Sequence, residues 1–201
     1  ALVIGNGAYS SSPLRNPPND ARDVAAALTN LGFDVIELTD AHKGAVLNAL
    51  DDFSDKLRRA EAGLFYFAGH GMQIRGQNYL LPVGVHVRRE SDVEYEGVNA
   101  NRVLAAMEEA GSSVNIMILD ACRDNPFSRS FRSSSRGLAM MRGAKGTFIA
   151  YATSPGSVAA DGTGRNGVFT DHLLRHIDRP GLAIEEVFKN VRIGVVNSTG
   201  R

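Results

Sequence analysis

Two apolar runs in the chain predict buried strands, and each is followed directly by polar or reactive residues that do not suit a protein core. Val114–Leu119 is followed by Asp-Ala-Cys-Arg, which contains Cys122, the single cysteine of the chain. Gly63–Ala68 is followed by Gly-His-Gly, which contains His70. Ligands of an open α/β sheet bind just beyond the carboxyl ends of the strands, so both side chains are expected at that edge. A thiol attacks a carbonyl only as the thiolate, and a neighbouring imidazole can take its proton, which suggests a nucleophilic dyad.

Backbone N–H groups beside these residues are candidates for stabilising the negative charge that develops on an attacked carbonyl oxygen. Gly71 directly follows the histidine and offers an N–H with no side chain in the way. The N–H of Cys122 is the second candidate. The glycines on both sides of His70 are also expected to let a substrate backbone approach closely.

Each of the two side chains, taken singly, has a simpler explanation. A lone cysteine at the end of a buried strand is usually a small core residue. A histidine in a Gly-His-Gly turn is usually structural. Two such residues, each at the end of an apolar strand and each flanked by small residues, coincide by chance much less often. On the chemistry alone, the catalytic and structural interpretations are evenly balanced.

The elements that must position these residues alternate between strand and helix. Short apolar runs predict strands, and apolar residues about one turn apart predict helices. Predicted strands cover 2–4, 33–38, 63–68, 114–120 and 146–152, and a hairpin covers 72–81. One predicted helix begins at 17, and the other helices cover 46–57, 103–107, 167–177 and 182–196. Residues 83–98 are expected to form an irregular surface segment. This alternation predicts an α/β fold, a three-layer α/β/α sandwich with a mostly parallel central sheet.

The composition limits the classes of function. The chain has 201 residues and 43% hydrophobic content, enough for one domain with a full core. Its formal net charge is zero, so no overall field attracts nucleic acid or an anionic membrane. No apolar run reaches the length of about 18 residues that a transmembrane helix needs. One cysteine cannot form an internal disulfide, so the thiol is either inert or reactive.

Four segments resemble one known family. Tyr66–Gly71 and Asp120–Arg123 resemble the histidine and cysteine motifs of the caspase and metacaspase cysteine peptidases, in which the histidine lies about 50 residues before the cysteine. Asn19–Ala21 resembles the start of the first helix in metacaspases and bacterial caspase homologues. Tyr151–Gly156 resembles the fifth strand of the family and the loop after it. The resemblance covers essentially the whole chain and implies a caspase-like fold.

The resemblance implies an endopeptidase in which Cys122 is the nucleophile, His70 is the general acid and base, and the intermediate is a thioester. The pocket for the P1 residue, whose carbonyl is attacked, departs from that of caspases. They carry glutamine where this chain has Asp120 and a basic residue near the place of Asp161, and they bind aspartate. Metacaspases have acids that match Asp20 and Asp120 and cleave after arginine or lysine, so a peptide or protein substrate with a basic P1 residue is expected. Alone, Asp20 would be explained as an acid in the first turn of a helix.

The resemblance also divides the chain. It implies one caspase-like peptidase domain over 1–201, with a catalytic core at 1–122, a basic linker at 123–145 and a part like the caspase small subunit at 146–201. The chain starts inside a strand pattern without an initiator methionine, and the last pairing strand of caspases is not found. We therefore expect a longer parent protein, in which either the small-subunit part continues beyond this chain or dimerisation differs from that of caspases.

The linker at 123–145 is expected to be a mobile basic loop. Family members are cleaved in this segment during maturation, so self-cleavage is one hypothesis and an uncut surface loop is the other. The basic residues that would suit an enzyme specific for arginine or lysine are Arg129, Arg132, Arg136, Arg142 and Lys145.

No cofactor and no metal ligand set is predicted. Many metacaspases need calcium, but Glu90, Asp92, Glu94 and Glu96 lack the residue order of a calcium loop, which leaves calcium activation open. The oligomeric state is open as well.

Two other functions remain as alternatives. One is a catalytically silent caspase-like module that regulates or binds other proteins. The other is a cysteine peptidase with the same dyad and a different specificity.

Overall fold

The central sheet is built from apolar segments rich in β-branched and aromatic residues. The structure is a computed structural model that describes residues 1–121, 137–152 and 164–200. Over these ranges the strands are β1 Leu2–Gly5, β2 Ile36–Thr39, β3 Ala62–Ala68, β4 Gly71–Ile74, β5 Gln77–Leu80, β6 Val98–Asn99, β7 Val114–Asp120 and β8 Thr147–Tyr151. Five of these form one sheet in the order β2-β1-β3-β7-β8, in which every neighbouring pair is parallel. The strands β4, β5 and β6 form a small antiparallel sheet.

Helices connect the parallel strands and cover the sheet. Within the same ranges they are α1 Pro17–Asn30, α2 Lys43–Leu57, α3 Glu90–Glu96, α4 Ala100–Glu109, α5 Val168–Leu174 and α6 Ile184–Thr199. Two prolines begin α1, as the sequence predicted, because the fixed φ of proline suits a first helical turn that does not need its missing N–H. None of these described helices is long and apolar enough to cross a membrane.

Alternate residues of the central strands face opposite layers. Phe65 and Phe67 of β3 pack with α2 and α4, whereas Leu64 and Tyr66 pack with α1, α5 and α6. All four side chains are at most 3% exposed. Burial on both faces explains why β3 is a continuous apolar run without polar alternation. The predicted three-layer α/β/α sandwich around a mostly parallel sheet is confirmed.

The prediction of an irregular segment at 83–98 is wrong in its second half, where α3 and β6 form. The Asp92 carboxylate starts α3 by accepting the N–H groups of Arg88 and Arg89, both at 2.9 Å. Val93 of this helix is fully buried. Its neighbours in the sequence are charged, so the segment shows no apolar stripe from which a helix could be predicted.

The prediction of a mobile surface loop at 123–145 does not hold at Leu138 and Ala139. The Leu138 side chain is 1% exposed and belongs to the core. The Asn78 side chain holds Ala139 through two bonds of 2.7 Å, because its Nδ2 donates to the Ala139 carbonyl and its Oδ1 accepts the Ala139 N–H. A side-chain amide pairs with backbone here in the way that a strand would, which a basic composition does not reveal. The first part of the loop, 123–136, lies outside the described residues.

Candidate active site

His70 lies just beyond the end of β3 and beside the end of β7. These two strands pair in parallel to their last residues, and the Gly69 N–H then donates to the Asp120 carbonyl at 3.2 Å. The ends of β3 and β7 are therefore adjacent, as the sequence predicted. The His70 side chain is 2% exposed. Cys122, the other half of the predicted dyad, lies outside the described residues.

Gly71 brings the histidine segment into contact with the chain that leads to the cysteine. A Cβ added at Gly71 would lie 2.9 Å from both the Cβ and the carbonyl oxygen of Ala121, which is closer than real atoms of this kind approach. Glycine is therefore required here. Ala121 is fully buried and directly precedes Cys122 in the sequence. We expected this glycine to admit a substrate backbone, and the structure shows that its close neighbour is the chain's own Ala121.

The imidazole of His70 is held by a backbone carbonyl of the β1 loop, residues 6–16. Its Nε2 lies 2.7 Å from the carbonyl oxygen of Ser12. A carbonyl oxygen only accepts hydrogen bonds, so this contact requires the proton of the neutral ring to be on Nε2, and Nδ1 is then the basic nitrogen. The ring of Tyr9 packs beside the imidazole, with the ring centroids 4.5 Å apart. These contacts set both the orientation and the tautomer of the ring.

The hydroxyl of Tyr9 fixes the backbone from which the imidazole projects. It accepts the His70 N–H at 3.1 Å and donates to the Leu81 carbonyl at 2.8 Å. The Leu81 N–H in turn donates to the His70 carbonyl at 2.9 Å. A Cβ at Gly69 would lie 2.7 Å from the Tyr9 hydroxyl oxygen, so this close approach also needs glycine. The ring and the backbone of His70 are thus held by separate contacts from the same loop.

Tyr9 and Ser12 are site residues that the sequence did not predict. Ser12 contributes a carbonyl group, which every residue type has, so its identity carries no signal. Its φ of 56° lies in the left-handed region, which serine rarely adopts and which the sequence does not indicate. Tyr9 gives one weak signal, because a large aromatic residue in a loop with three serines and a proline is expected to be buried with a partner for its hydroxyl.

The N–H of Gly71 does not point into the small antiparallel sheet. Hydrogen-bonded and non-hydrogen-bonded residue pairs alternate along an antiparallel ladder. His70 and Leu81 are joined by a backbone hydrogen bond, so the next pair, Gly71 and Leu80, is a non-hydrogen-bonded pair. The Gly71 N–H is therefore directed away from β5.

Asp20 and Asp120, two of the three predicted pocket acids, are buried carboxylates at the start of α5. Asp20 is fully buried in the first turn of α1, and Asp120 is 1% exposed at the end of β7. Asp20 Oδ1 accepts the Gly167 N–H at 2.9 Å, and Asp120 Oδ2 accepts the Thr170 hydroxyl at 3.2 Å. Gly167 caps α5 and Thr170 lies in its first turn, so both carboxylates converge on the same helix end. Asp161, the third predicted acid, lies outside the described residues.

Asp120 ends a directional chain of buried hydrogen bonds. The Thr170 hydroxyl donates to Asp120, so its oxygen accepts from the Tyr66 hydroxyl at 2.6 Å. Thr170 and Tyr66 are both fully buried. Such a chain fixes the carboxylate and supplies partners to two hydroxyls that would be costly to bury alone. The sequence did not predict these two residues, because both match ordinary core positions of a helix and a strand.

The segment directly before α5 is hydrogen-bonded to α1. The Asp23 carboxylate accepts two hydrogen bonds from the Arg165 guanidinium and one from the Asn166 amide, all at 2.9 Å. The Asn19 amide donates to the Arg165 carbonyl at 3.2 Å. Two consecutive residues are therefore tied to the first two turns of α1, next to the point where the buried acids meet α5.

Asp23→Ala is expected to reduce stability at neutral pH and to have less effect in acid. The hydrogen bonds from Arg165 hold the pKa of Asp23 below its ordinary value of 3.8. A depressed folded-state pKa contributes stability that is fully present above the unfolded pKa and is lost as the pH falls through the folded pKa. Because solvent screens this partly exposed pair, we expect a loss of about 0.5–1 kcal/mol at neutral pH. Urea denaturation between acid and neutral pH measures it.

The control for this prediction is Asp52→Ala, which removes an exposed carboxylate from α2. Its effect on the free energy of unfolding is expected to be smaller at neutral pH. A loss for Asp23→Ala that stays equal from neutral pH to well below 3.8 would contradict an electrostatic origin.

Two of the basic residues predicted for self-cleavage are described. Arg142 and Lys145 are both exposed. Between them, the Ala144 N–H donates to the Glu108 carboxylate at 2.7 Å. The other candidates, Arg129, Arg132 and Arg136, lie outside the described residues.

Acids of the segment 90–96 make contacts that belong to the fold. Asp92 starts α3 by accepting two N–H groups, and Glu94 lies 3.9 Å from the guanidinium of Arg75. In the part of the chain that the structure describes, no group of three or more His, Cys, Asp or Glu residues is arranged to hold a metal ion.

The fold and the site together define a class of protein. A parallel sheet carries a histidine beyond one central strand, and the neighbouring strand leads to the cysteine, as in an α/β cysteine peptidase. Comparison with known families matches the family described as Caspase domain over residues 1–201. The chain therefore belongs to the caspase-domain family of cysteine peptidases, and the resemblance stated from its motifs is confirmed.

Two mammalian proteins are similar to part of the chain. One is "Mucosa-associated lymphoid tissue lymphoma translocation protein 1" of Homo sapiens, 32% identical over 127 residues that cover 61% of this chain and 15% of that protein. The other is its homolog in Mus musculus, with the same identity and 14% of the protein covered. The matched region is thus about one seventh of the length of these relatives. Neither name refers to metacaspases or bacteria, so the resemblance of single motifs to metacaspases and bacterial caspase homologues stays an expectation.

Proposed function

We propose that this chain is a cysteine endopeptidase that cleaves peptide bonds after arginine or lysine through a Cys122–His70 dyad. The observation that carries the proposal is the placement of His70 beyond β3, beside the strand that leads to Cys122, with its Nε2 at the Ser12 carbonyl. A general base needs a fixed ring and a basic nitrogen, and this contact makes Nδ1 that nitrogen. Membership of the caspase-domain family supports the same chemistry.

In the acylation step, Nδ1 of His70 takes the proton of the Cys122 thiol, and the thiolate attacks the carbonyl carbon of the P1 residue. The electron pair of the C=O bond moves to oxygen, where the N–H groups of Gly71 and Cys122 stabilise the negative charge. Collapse of this intermediate restores the C=O bond and breaks the C–N bond, while His70 gives its proton to the leaving amine. The amino-terminal part of the substrate is then a thioester on Cys122.

In the deacylation step, His70 takes a proton from water as the water oxygen attacks the thioester carbonyl. The C–S bond breaks, the new carboxylic acid leaves, and His70 returns its proton to the Cys122 sulfur. The ring is positively charged between these transfers. The Ser12 carbonyl favours that charged form because it accepts a hydrogen bond from Nε2 throughout.

The preference for a basic P1 residue is argued from Asp20 and Asp120. Two buried carboxylates that converge on one helix end are costly to desolvate, and an arriving positive charge offsets that cost. A guanidinium has five N–H donors that match carboxylates, and an ammonium has three. A P1 aspartate would add a like charge to the same place. Asp161 stays a prediction for this pocket.

Self-processing in the linker is the second part of the proposal. Arg142 and Lys145 are exposed and basic, so they match the proposed P1 preference. Cleavage at either residue requires local opening, because the Ala144 N–H between them is bound to Glu108. The linker candidates at 129, 132 and 136 stay predictions of the same kind.

A panel of fluorogenic peptides that differ only in the P1 residue tests the proposal. We expect cleavage after arginine and lysine and a kcat/KM at least about 100-fold lower for aspartate, because like charges in a pocket cost several kcal/mol. Each assay is run with calcium and with a chelator. Cleavage after aspartate would reject the acidic pocket, and cleavage after an uncharged residue would keep the dyad and reject the specificity.

The alternative function is a catalytically silent interaction module, which the burial of His70 to 2% exposure favours. A peptidyl arginine chloromethyl ketone separates the two, because it alkylates a nucleophilic cysteine whose pocket accepts arginine. A mass increase confined to Cys122 supports the enzyme. A folded protein that is not alkylated, and that cleaves no peptide of the panel, supports the silent module.

A further inference from the structure

Asp40 combines two uncommon features directly after β2. Its φ of 52° lies in the left-handed region, which residues other than glycine, asparagine and aspartate rarely adopt. Its Oδ1 accepts the Gly7 N–H at 2.7 Å and the Ala8 N–H at 2.8 Å. Hydrogen bonds to a charged acceptor are stronger than those between neutral groups. Asp40 therefore fastens the start of the β1 loop to the end of the neighbouring strand.

Gly7 transmits this restraint to both sides of Ser12. The Gly7 carbonyl accepts the Tyr9 N–H at 2.8 Å and the Leu14 N–H at 2.9 Å. The β1 loop is thus closed at its base on Gly7, whose own N–H is bound to Asp40. Tyr9 and Ser12 lie in the closed part, and they are the two residues that hold the backbone and the ring of His70.

We propose that Asp40 is a positioning residue for His70. Through Gly7 it sets the Ser12 carbonyl against Nε2, and that carbonyl keeps the imidazole in the tautomer whose Nδ1 is basic. Asp40 acts without touching the substrate or the reacting atoms. This role rests on the proposed peptidase function, because a fixed tautomer matters to the chain only if His70 transfers protons.

The carboxylate can be removed without losing the other links between β1 and the residues after β2. The Asp40 N–H donates to the Gly5 carbonyl at 3.0 Å, and the Ala41 N–H donates to the Asn6 side chain at 2.9 Å. Glycine at position 40 keeps the first of these bonds and adopts the left-handed φ without strain. Asp40→Gly therefore removes the carboxylate and leaves the backbone path intact.

Asp40→Gly is expected to lower kcat for an arginine peptide by about 10- to 100-fold, since small misplacements of a catalytic group have effects of this size. KM is expected to stay within about 2-fold, because the pocket acids lie on α1 and β7 and are untouched. Asp40→Asn keeps an oxygen that accepts both N–H groups, so it should recover most of the lost kcat. Unchanged kcat in Asp40→Gly overturns the proposal, and so does an equal loss in both variants.

Arg75→Gly is the matched control for the backbone change. Arg75 also has a left-handed φ, 51°, and it lies in the turn between β4 and β5 with an exposed side chain. Glycine there relieves the same kind of strain away from the β1 loop. Its kcat is expected to equal that of the parent protein. A loss in Arg75→Gly as large as that in Asp40→Gly would overturn the assignment of the effect to the carboxylate.

A second measurement separates this inference from the peptidase proposal. The ¹⁵N chemical shifts of the His70 ring report its tautomer, and they can be recorded in a Cys122→Ala background that needs no turnover. We expect the Nε2-protonated form in that background and a mixture of tautomers when Asp40→Gly is added. If the parent protein cleaves no peptide, a mixture in Asp40→Gly would still show that Asp40 fixes the His70 tautomer, and only the peptidase proposal would be rejected. An unchanged tautomer in Asp40→Gly would overturn the positioning role even in an active enzyme.

Discussion

Cys122→Ala is expected to abolish cleavage of arginine peptides, and His70→Ala is expected to lower it to the same residual level. In the proposed mechanism the thiol is the nucleophile and the imidazole creates the thiolate, so neither side chain retains its effect without the other. Each single variant should lose at least about 10⁴-fold in kcat, and the double variant should be no worse than either. Steady-state assays of the three variants beside the parent protein measure this.

His86→Ala is the control for the histidine, because His86 is exposed and lies outside the β1 loop and both strand ends. It should retain the kcat of the parent. His70 is buried, so circular dichroism and thermal unfolding must show that His70→Ala is folded. Multiplying losses in the double variant would mean that the two side chains act in separate steps. Residual turnover by Cys122→Ala near the parental rate would place the nucleophile elsewhere.

The part of the site that lies on the sheet could be predicted from the sequence. Strands that are buried on both faces appear as apolar runs, and the first polar residues after them mark the sheet edge where ligands bind. That rule placed His70 beyond β3 and Asp120 at the end of β7, and the two strands are paired in the structure. Their pairing could not be read from spacing alone, because β3 and β7 are separated by a hairpin, two helices and the short strand β6.

The parts of the site that lie in loops could not be predicted. Ser12 acts through its carbonyl and Tyr9 through a hydroxyl in a serine-rich loop, and no periodicity marks such contacts. Asp40 appears in the sequence as a polar residue at the end of a strand, which is where turns usually have one. Its contacts with Gly7 and Ala8 become visible only when the β1 loop is next to it. Contacts between segments distant in sequence decide these roles.

Asp20 shows that the position of a residue in a helix can explain only part of its contacts. In the sequence it is an acid in the first turn of a helix, and that position normally accounts for such a residue. In the structure its Oδ1 accepts the N–H of Gly167, at the start of a different helix. The resemblance to metacaspases assigned this position to the acidic pocket for the P1 residue. The carboxylate is buried between elements from both halves of the chain, which is compatible with a pocket and is not explained by the start of α1 alone.

Asp120→Asn is expected to reduce kcat/KM for arginine peptides by about 100-fold, which corresponds to about 2.8 kcal/mol. The amide keeps the size of the side chain, and its oxygen can still accept the Thr170 hydroxyl, so the change removes the charge and keeps that contact. Losing one partner of a buried, hydrogen-bonded charge pair costs about 2–5 kcal/mol. Peptides with citrulline at P1, which is uncharged and shaped like arginine, should lose much less than arginine peptides.

The rate at which iodoacetamide alkylates Cys122 distinguishes damage to the pocket from damage to the dyad. This small reagent carries no P1 side chain, so its rate depends on the thiolate and should change little in Asp120→Asn. Asp23→Asn is the matched control, since this carboxylate lies on the same helix as Asp20 but is bound to Arg165. Its kcat/KM for arginine peptides should stay within about 2-fold, as for other partly exposed ion pairs. If Asp120→Asn slows alkylation as much as it slows peptide cleavage, then Asp120 supports the nucleophile and the acidic pocket must be sought elsewhere.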